Sequence, residues 1–255
     1  MSYFVDVVTE DSFYENLTLG VVKILENSPC VKNVQIDLRS ACDRVALSTW
    51  EQRHCCNLSE EVRNFYASID GFLLTWSLEI AGEEFPLGRM EVSNLASLKR
   101  FVGSKEQQAA AESRHHEGPQ VPSFDPRCKL FEIAQSGESK VILADQVRSD
   151  QEEPGIWLYH PGKDQWHYLA ENFTKYFRMM LVHLGLPLWQ HCIVGIPVPT
   201  WVEQVFFLVG PHLLPTTVKP KESVSEILWS EGPTNVVDPA IFKNREKQQR
   251  SLKKK

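Results

Sequence analysis

Long apolar runs are missing from this 255-residue chain. No stretch approaches the roughly 18–20 residues that span a bilayer, so no membrane partner is expected. The N-terminus, Met1-Ser2-Tyr3-Phe4-Val5-Asp6, has neither a basic leader nor an extended apolar core, so no secretory signal is expected. Cysteine is sparse, six in all, and no Cys-x-x-Cys pair occurs. That excludes a disulfide framework and a zinc ribbon, and the expectation is reduced thiols in a cytosolic protein. The Asn-x-Ser/Thr sequons beginning at Asn16, Asn57 and Asn172 are then coincidental. Net positive charge is missing too. A formal charge of −6 excludes non-specific binding of nucleic acid by the body of the chain.

Catalytic signatures are equally scarce. There is no Gly-rich dinucleotide fingerprint, no Walker A loop, no His-Glu-x-x-His and no Gly-x-Ser-x-Gly. No catalytic residue and no cofactor are assigned. His54-Cys55-Cys56 is the most suggestive metal cluster, but a zinc site wants two ligand pairs at defined spacing and the second pair is missing. Buried or loop cysteines are the plainer reading, and a metal-dependent enzyme the remote alternative. His115-His116, His160, His167 and His183 read as solvated, helix-end or sheet histidines.

What is present is concentrated first in Trp50–Gly88. Ser59 stands where an N-cap belongs, with Glu60 and Glu61 at the positive end of the helix dipole. Val62, Phe65, Tyr66 and Ile69 recur on one helical face, and Asp70-Gly71 stops the helix. Phe72, Leu74, Trp76, Leu78 and Ile80 then alternate with Leu73, Thr75, Ser77 and Glu79, the period of a strand with one apolar face. Ala81 to Glu84 is a turn. Phe85 to Met90 returns as a second strand, which Pro86 confines to an edge or a strand start.

Around this block the chain alternates irregularly. Ser12-Phe13-Tyr14-Glu15 has the form of a capping box. It opens a helix carrying Phe13, Leu17, Val21, Ile24 and Leu25, closed by Asn27-Ser28-Pro29. Val34, Ile36 and Leu38 form a short strand. Asp43 caps a helix bearing Trp50, and Asn94 caps a short helix with Leu95, Leu98 and Phe101. Residues 103–127 are polar and almost free of large apolar side chains, so they read as a flexible insertion. Strands resume at Leu130–Ile133 and Val141–Leu143 around Ser136-Gly137-Glu138. Two more, Ile156–Tyr159 and Trp166–Ala170, flank Pro161-Gly162-Lys163-Asp164. The strongest helix follows, with Phe173, Tyr176, Phe177, Met180, Leu181 and Leu184 on one face and Gly185 and Pro187 at its end. Pro199-Thr200 with Glu203 reads as a further capping box, on a helix with Val202, Val205, Phe206 and Val209 inward. Gly210-Pro211 closes it.

This order has no regular strand–helix alternation. The expected class is α+β, a mainly antiparallel sheet with packed helices and a C-terminal helical extension. Residues 1–210 are expected to form a single domain with the insertion 103–127, and residues 211–255 an extended segment with a basic tail. Asp238-Pro239 starts a last helix that runs into the tail. Residues 238–255 carry seven basic and two acidic side chains, which leaves the remainder at about −11. The tail residues Lys243, Arg245, Lys247 and Arg250 are candidates for contact with an acidic surface. Trp189, Trp201 and Trp229 have two readings, core packing or anchoring of a partner. Ile227-Leu228-Trp229 reads as an apolar docking patch.

The Trp50–Gly88 block resembles the SMI1/KNR4 fold of the SUKH superfamily, which contains bacterial toxin-immunity proteins and eukaryotic scaffolding proteins. A more specific resemblance extends over Leu17–Gly20, Ile24–Pro29, Ser48–Gln52, Val62–Tyr66 and Thr75–Ser77. It continues in Ile156-Trp157, Trp166–Leu169, Phe173-Thr174 and His183–Pro187, then Asp238-Pro239 and Phe242-Lys243. These segments resemble the tubulin polyglutamylase complex subunit 2 family over residues 14–102 and 128–210. The resemblance implies a non-catalytic scaffold or adaptor that supports glutamylation of tubulin C-terminal tails. It implies as partners a tubulin-tyrosine-ligase-like catalytic subunit and the other subunits of the complex; contact of tubulin or microtubules with the basic tail is an expectation from the tail's charge, not from the resemblance. It also implies a place in the cytoplasm and cytoskeleton: microtubules, centrioles and centriolar satellites, and the ciliary basal body. The chain departs from the pattern in its first dozen residues, in 103–127 and in 211–237. An SMI1/KNR4-type interaction module with another cytosolic client is the alternative.

Overall fold

The computed structural model describes residues 10–104, 107, 121–124, 128–146 and 155–214. Two short helices, α1 (Glu10–Thr18) and α2 (Val21–Glu26), precede strand β1 (Val31–Ile36). The single helix expected here is broken at Leu19-Gly20, where both residues take positive φ (52° and 77°). Helix α1 begins before Ser12, which therefore is not its cap, and the turn leaves Ile24 exposed while Val21 and Leu25 are buried. Helices α3 (Arg44–His54) and α4 (Glu60–Ser68) follow. Asp43 and Ser59 occupy their N-cap positions, but neither side chain makes the capping bond. Val62, Tyr66 and Ile69 are buried as the helical spacing requires, and Gly71 makes the exit at φ 81°.

Strand β2 (Phe72–Ile80) buries Phe72, Leu74, Trp76 and Leu78 and turns the intervening residues outward; Ile80, at the hairpin end, is exposed. It pairs antiparallel with β1 and with β3 (Glu83–Val92), giving the order β1-β2-β3. Pro86 lies on the edge strand, next to the register shift opposite Trp76/Ser77. Trp76 stacks over Gly88, its register partner. A Cβ there would come within 1.9 Å of the indole ring. The indole Nε1–H donates to the Leu184 carbonyl at 2.7 Å, tying β2 to a segment 108 residues away.

Asn94 caps a short 3-10 turn at Leu95–Ser97, its side chain accepting from the Ser97 N–H at 2.9 Å. Phe101 belongs not to that turn but to strand β4 (Lys99–Phe101). The chain then forms an antiparallel meander, β4 with β5 (Cys128–Ser136), β6 (Ser139–Gln146), β7 (Gly155–His160) and β8 (Gln165–Ala170). Two antiparallel sheets thus stand where one was expected, because β4 turns away to pair with β5 instead of extending the β1-β2-β3 set.

Helix α5 (Phe173–Val182) packs its Phe173, Tyr176, Phe177, Met180 and Leu181 face inward, and the Asn172 side chain caps it. Phe65, Phe72, Phe173 and Phe177 form an aromatic contact set between α4, β2 and α5. Helix α6 (Trp189–Ile193) was not anticipated; five residues are too few to show a period. Helix α7 (Thr200–Val209) buries Val202, Val205 and Phe206. It starts directly after Pro199, at the N-cap position, so the expected Thr200/Glu203 box does not form. One continuous core fills the space between the inner faces of both sheets and the helices, and a second, smaller cluster lies on the outer face of the five-stranded sheet. Each fully buried large side chain contributes about 1.5–3 kcal/mol by leaving water. The last helix expected from Asp238-Pro239 lies outside the described residues.

Candidate functional site

The two sheets meet at one point and then part. At the end of β3 the Ser93 N–H donates to the Ile133 carbonyl of β5 at 2.8 Å. Beyond it the strands diverge, and a cavity of about 300 Å³ opens between Arg89 and Glu91 of β3 and Gln135 and Ser136 of β5. Met180, Leu186 and Trp189 line its apolar side, with Trp201 of α7 alongside. The loop after α5 is pressed onto β3. The Gly185 carbonyl accepts the Arg89 N–H at 2.8 Å, and a Cβ on Gly185 would stand 2.6 Å from Met90 Cγ. Leu184 and Leu188 flank this loop with φ of 56° and 54°. Left-handed backbone at non-glycine residues costs on the order of 1 kcal/mol each, and such residues concentrate where a fold is constrained by function.

The polar residues at the cavity divide into a buried set, Ser136, Gln190 and Tyr176, and a rim of Arg89, Glu91 and Gln135. Ser136 Oγ donates to Gln190 Oε1 at 2.7 Å. The Tyr176 hydroxyl is buried beside the Gln190 side chain, and burial pushes its phenol well up, so it stays protonated. Arg89 Nε bonds Glu91 Oε2 at 2.8 Å, and among the described residues the other guanidinium nitrogens make no further bond. Behind Gln190, His191 Nε2 lies 2.9 Å from Ser139 Oγ. His160 and His167 of the β7–β8 hairpin lie near enough to act on it, and one nitrogen of each of these three rings is buried without a partner. Burial, then the neighbouring imidazoles, lowers His191; burial, then His160, lowers His167. Ser139 and His191 stand at the distance of a nucleophile and its base, but both are buried away from the cavity's open side, and the cavity suits binding better than bond-making.

The structure distributes the residues singled out in the sequence. Trp189 is only 2% exposed; it packs on Tyr176, stacks on His183, and forms a wall of the cavity rather than a free anchor. Its burial follows from its place at the start of α6, against the inward face of α5. Trp201 is 49% exposed beside the same cavity, and Phe207 and Leu208 continue an exposed apolar face along α7. Trp229, Lys243, Arg245, Lys247 and Arg250 lie outside the described residues. His54 stacks on Trp50 and meets Phe131 edge-on, Cys55 is exposed, and Cys56 is buried. Among the described residues no group of three His, Cys, Asp or Glu side chains could hold a metal ion. No described helix is long and apolar enough to cross a membrane. The β3–β5 cavity was not legible in the sequence. Its only local signal is Gly185-Leu186-Pro187, which reads as a helix stop.

Comparison with known proteins agrees with this architecture. The family model described as SMI1 / KNR4 family (SUKH-1) matches residues 41–179. The human protein named tubulin polyglutamylase complex subunit 2 is 32% identical over 248 residues, 91% of this chain and 80% of that protein. The rat and mouse proteins of the same name are each 32% identical over 252 residues, 91% of this chain and 81% of theirs. No solved structure gives a significant match. The family match spans α3 to most of α5, the relatives match over 91% of the chain, and the chain therefore belongs to the SMI1 / KNR4 family and, within it, to the tubulin polyglutamylase complex subunit 2 group.

Proposed function

We propose that this chain is a non-catalytic scaffold subunit of a tubulin polyglutamylase complex, holding a tubulin-tyrosine-ligase-like catalytic subunit and the other subunits together. The observation that carries the reading is the 32% identity spread over 91% of the chain, which reaches well beyond the 41–179 domain shared across the wider family. The site chemistry is in keeping with it. An apolar cavity beside an exposed aromatic helix face suits protein docking, and the fold alone would leave the client open. On this reading the protein works in the cytoplasm at microtubules, centrioles and ciliary basal bodies.

The test is co-expression of the full chain with a tubulin-tyrosine-ligase-like subunit and the remaining subunits of the complex. Co-purification of a stoichiometric assembly is expected. A well-folded chain that comes away alone overturns the reading.

The basic tail adds a second expectation. Lys243, Arg245, Lys247 and Arg250 steer the complex toward the polyanionic tubulin tail, a salt-sensitive attraction. Deleting residues 243–255 weakens microtubule co-sedimentation at low salt and has little effect at high salt. Equal binding at low salt removes the tail from the mechanism.

A further inference from the structure

The cavity between β3 and β5 has a property that an ordinary surface hollow lacks: both walls are strand edges that no described strand covers. On β3, the Arg89 N–H points away from β2, as its bond to Gly185 shows. By alternation Glu91 also turns its N–H and C=O away from β2. On β5, Ser136 pairs with Ser139 across the two-residue Gly137-Glu138 turn, so Gln135 directs its main chain away from β6. Strand β4 does not cover it, since its pairing with β5 ends at Glu132. Among the described residues, no strand pairs with Glu91 on this side, and none pairs with Gln135 on the side away from β6. They stand one step beyond the Ser93–Ile133 bond, where the two sheets separate.

Three more observations fix what would fit. The cavity wall formed by Met180, Leu186 and Trp189 is apolar, and about 300 Å³ accepts one large side chain with part of its neighbours. Trp201 stands half-exposed beside it, as an aromatic flap would. At the rim, the Arg89 guanidinium uses only Nε for Glu91 and leaves its fork of Nη donors to solvent, a geometry that matches a carboxylate.

We infer that this cleft is a peptide-docking slot. It takes an extended segment of another subunit, with one aromatic or long aliphatic residue in the cavity and an acidic residue adjacent to it facing Arg89. The segment's main chain bonds to the open groups of Glu91 and Gln135, which is strand addition to an uncapped edge. Uncovered strand edges call for a polypeptide rather than a small apolar molecule, and the Nη fork that Glu91 does not occupy calls for an acid beside the anchor. The inference deepens the proposed complex-subunit role and rests on it.

The experiment uses the full chain co-expressed with the tubulin-tyrosine-ligase-like subunit and the other subunits, in four forms: wild type, Trp201→Ala, Trp201→Phe and Gln135→Pro. Trp201→Ala is expected to lower recovery of the partner subunits about tenfold or more, and Trp201→Phe to restore it to within about threefold of wild type. Gln135→Pro removes one outward N–H from an edge position that tolerates proline, and is expected to cost about fivefold. Unchanged thermal midpoints in both variants separate docking from folding. A photo-crosslinking p-benzoylphenylalanine in place of Trp201 is expected to mark a partner segment in which a large apolar residue adjoins Asp or Glu. Full recovery with both Trp201→Ala and Gln135→Pro overturns the slot and leaves complex membership standing. Crosslinks that run only to a second copy of the chain, or only to residues 215–255 of the same chain, also overturn it. Failure of the wild type to recover any partner removes the complex reading, and the slot with it.

Discussion

The two sheets solve the same burial problem differently. In β2 of the three-stranded sheet, buried residues alternate strictly with half-buried ones, because only one face meets the core. In β7 of the five-stranded sheet, Gly155 through Tyr159 are all buried. Its inner residues, Ile156 and Leu158, join the main core, while Trp157 and Tyr159 point the other way into the second cluster. That outer face is an aromatic layer. Tyr159 stacks on Trp166 at 4.4 Å, Phe101 meets Trp166 at right angles, and Phe124 closes over them. Val121 and Phe124, from the polar 103–127 stretch, pack against this layer, and Gln107 donates to the Tyr159 hydroxyl at 3.0 Å. A continuous apolar run therefore reports a strand covered on both sides, and the cover here comes from a segment whose composition is that of a linker.

That contrast can be broken most sharply at Trp76. Trp76→Ala should lower unfolding stability by about 3–5 kcal/mol, read from denaturant midpoints, because it removes one of the largest fully buried side chains of the main core. It also leaves the buried Leu184 carbonyl without its donor. Phe124→Ala should cost less, about 1–2 kcal/mol, since Phe124 is half-buried at the edge of the outer cluster. An equal loss from the two substitutions would mean that the outer layer is as integral as the core.

A smaller and more selective effect comes from acid. His167 and His191 have folded pKa values lowered below their ordinary value of 6.5, chiefly by burial. Below pH 6.5 the unfolded chain therefore binds protons that the folded chain resists. Their contribution is complete above pH 6.5 and is lost as pH falls through and below it. These histidines lie where the β7–β8 hairpin meets α6, with no counterpart on β2. Hydrogen exchange at pH 5.5 against pH 7.5 should therefore show Trp189–Ile193 losing protection while Phe72–Leu78 keeps it. Parallel loss in both segments would place the acid sensitivity elsewhere.

Legibility follows the same division. The strand Phe72–Leu78, the helix Phe173–Leu181 and the turn at Pro161–Asp164 were readable because period and turn chemistry agree with tertiary burial there. The break at Leu19-Gly20 was not, since Leu19 at positive φ has no signal in residue type. Caps were half legible: Asn94 bonds as read, Asp43 and Ser59 mark the right positions without the bond, and Asn172, noted only as a sequon, turns out to cap α5. The cavity was the least legible part. It depends on two strands from different sheets diverging after Ser93 and Ile133, and on a tryptophan, Trp189, whose burial is set by α5 rather than by its neighbours in sequence.

The bond from the Trp76 indole to the Leu184 carbonyl also sets a clock. Its partners are 108 residues apart. At about 5–20 residues per second, a ribosome needs about 5–20 s after making Trp76 to supply the carbonyl that receives it. Throughout that interval the nascent first sheet holds an apolar face and an indole N–H with nothing yet to meet them. The first half of this protein can be translated well before it can be finished, and its safe passage through synthesis depends on what shields Trp76 until the second half arrives.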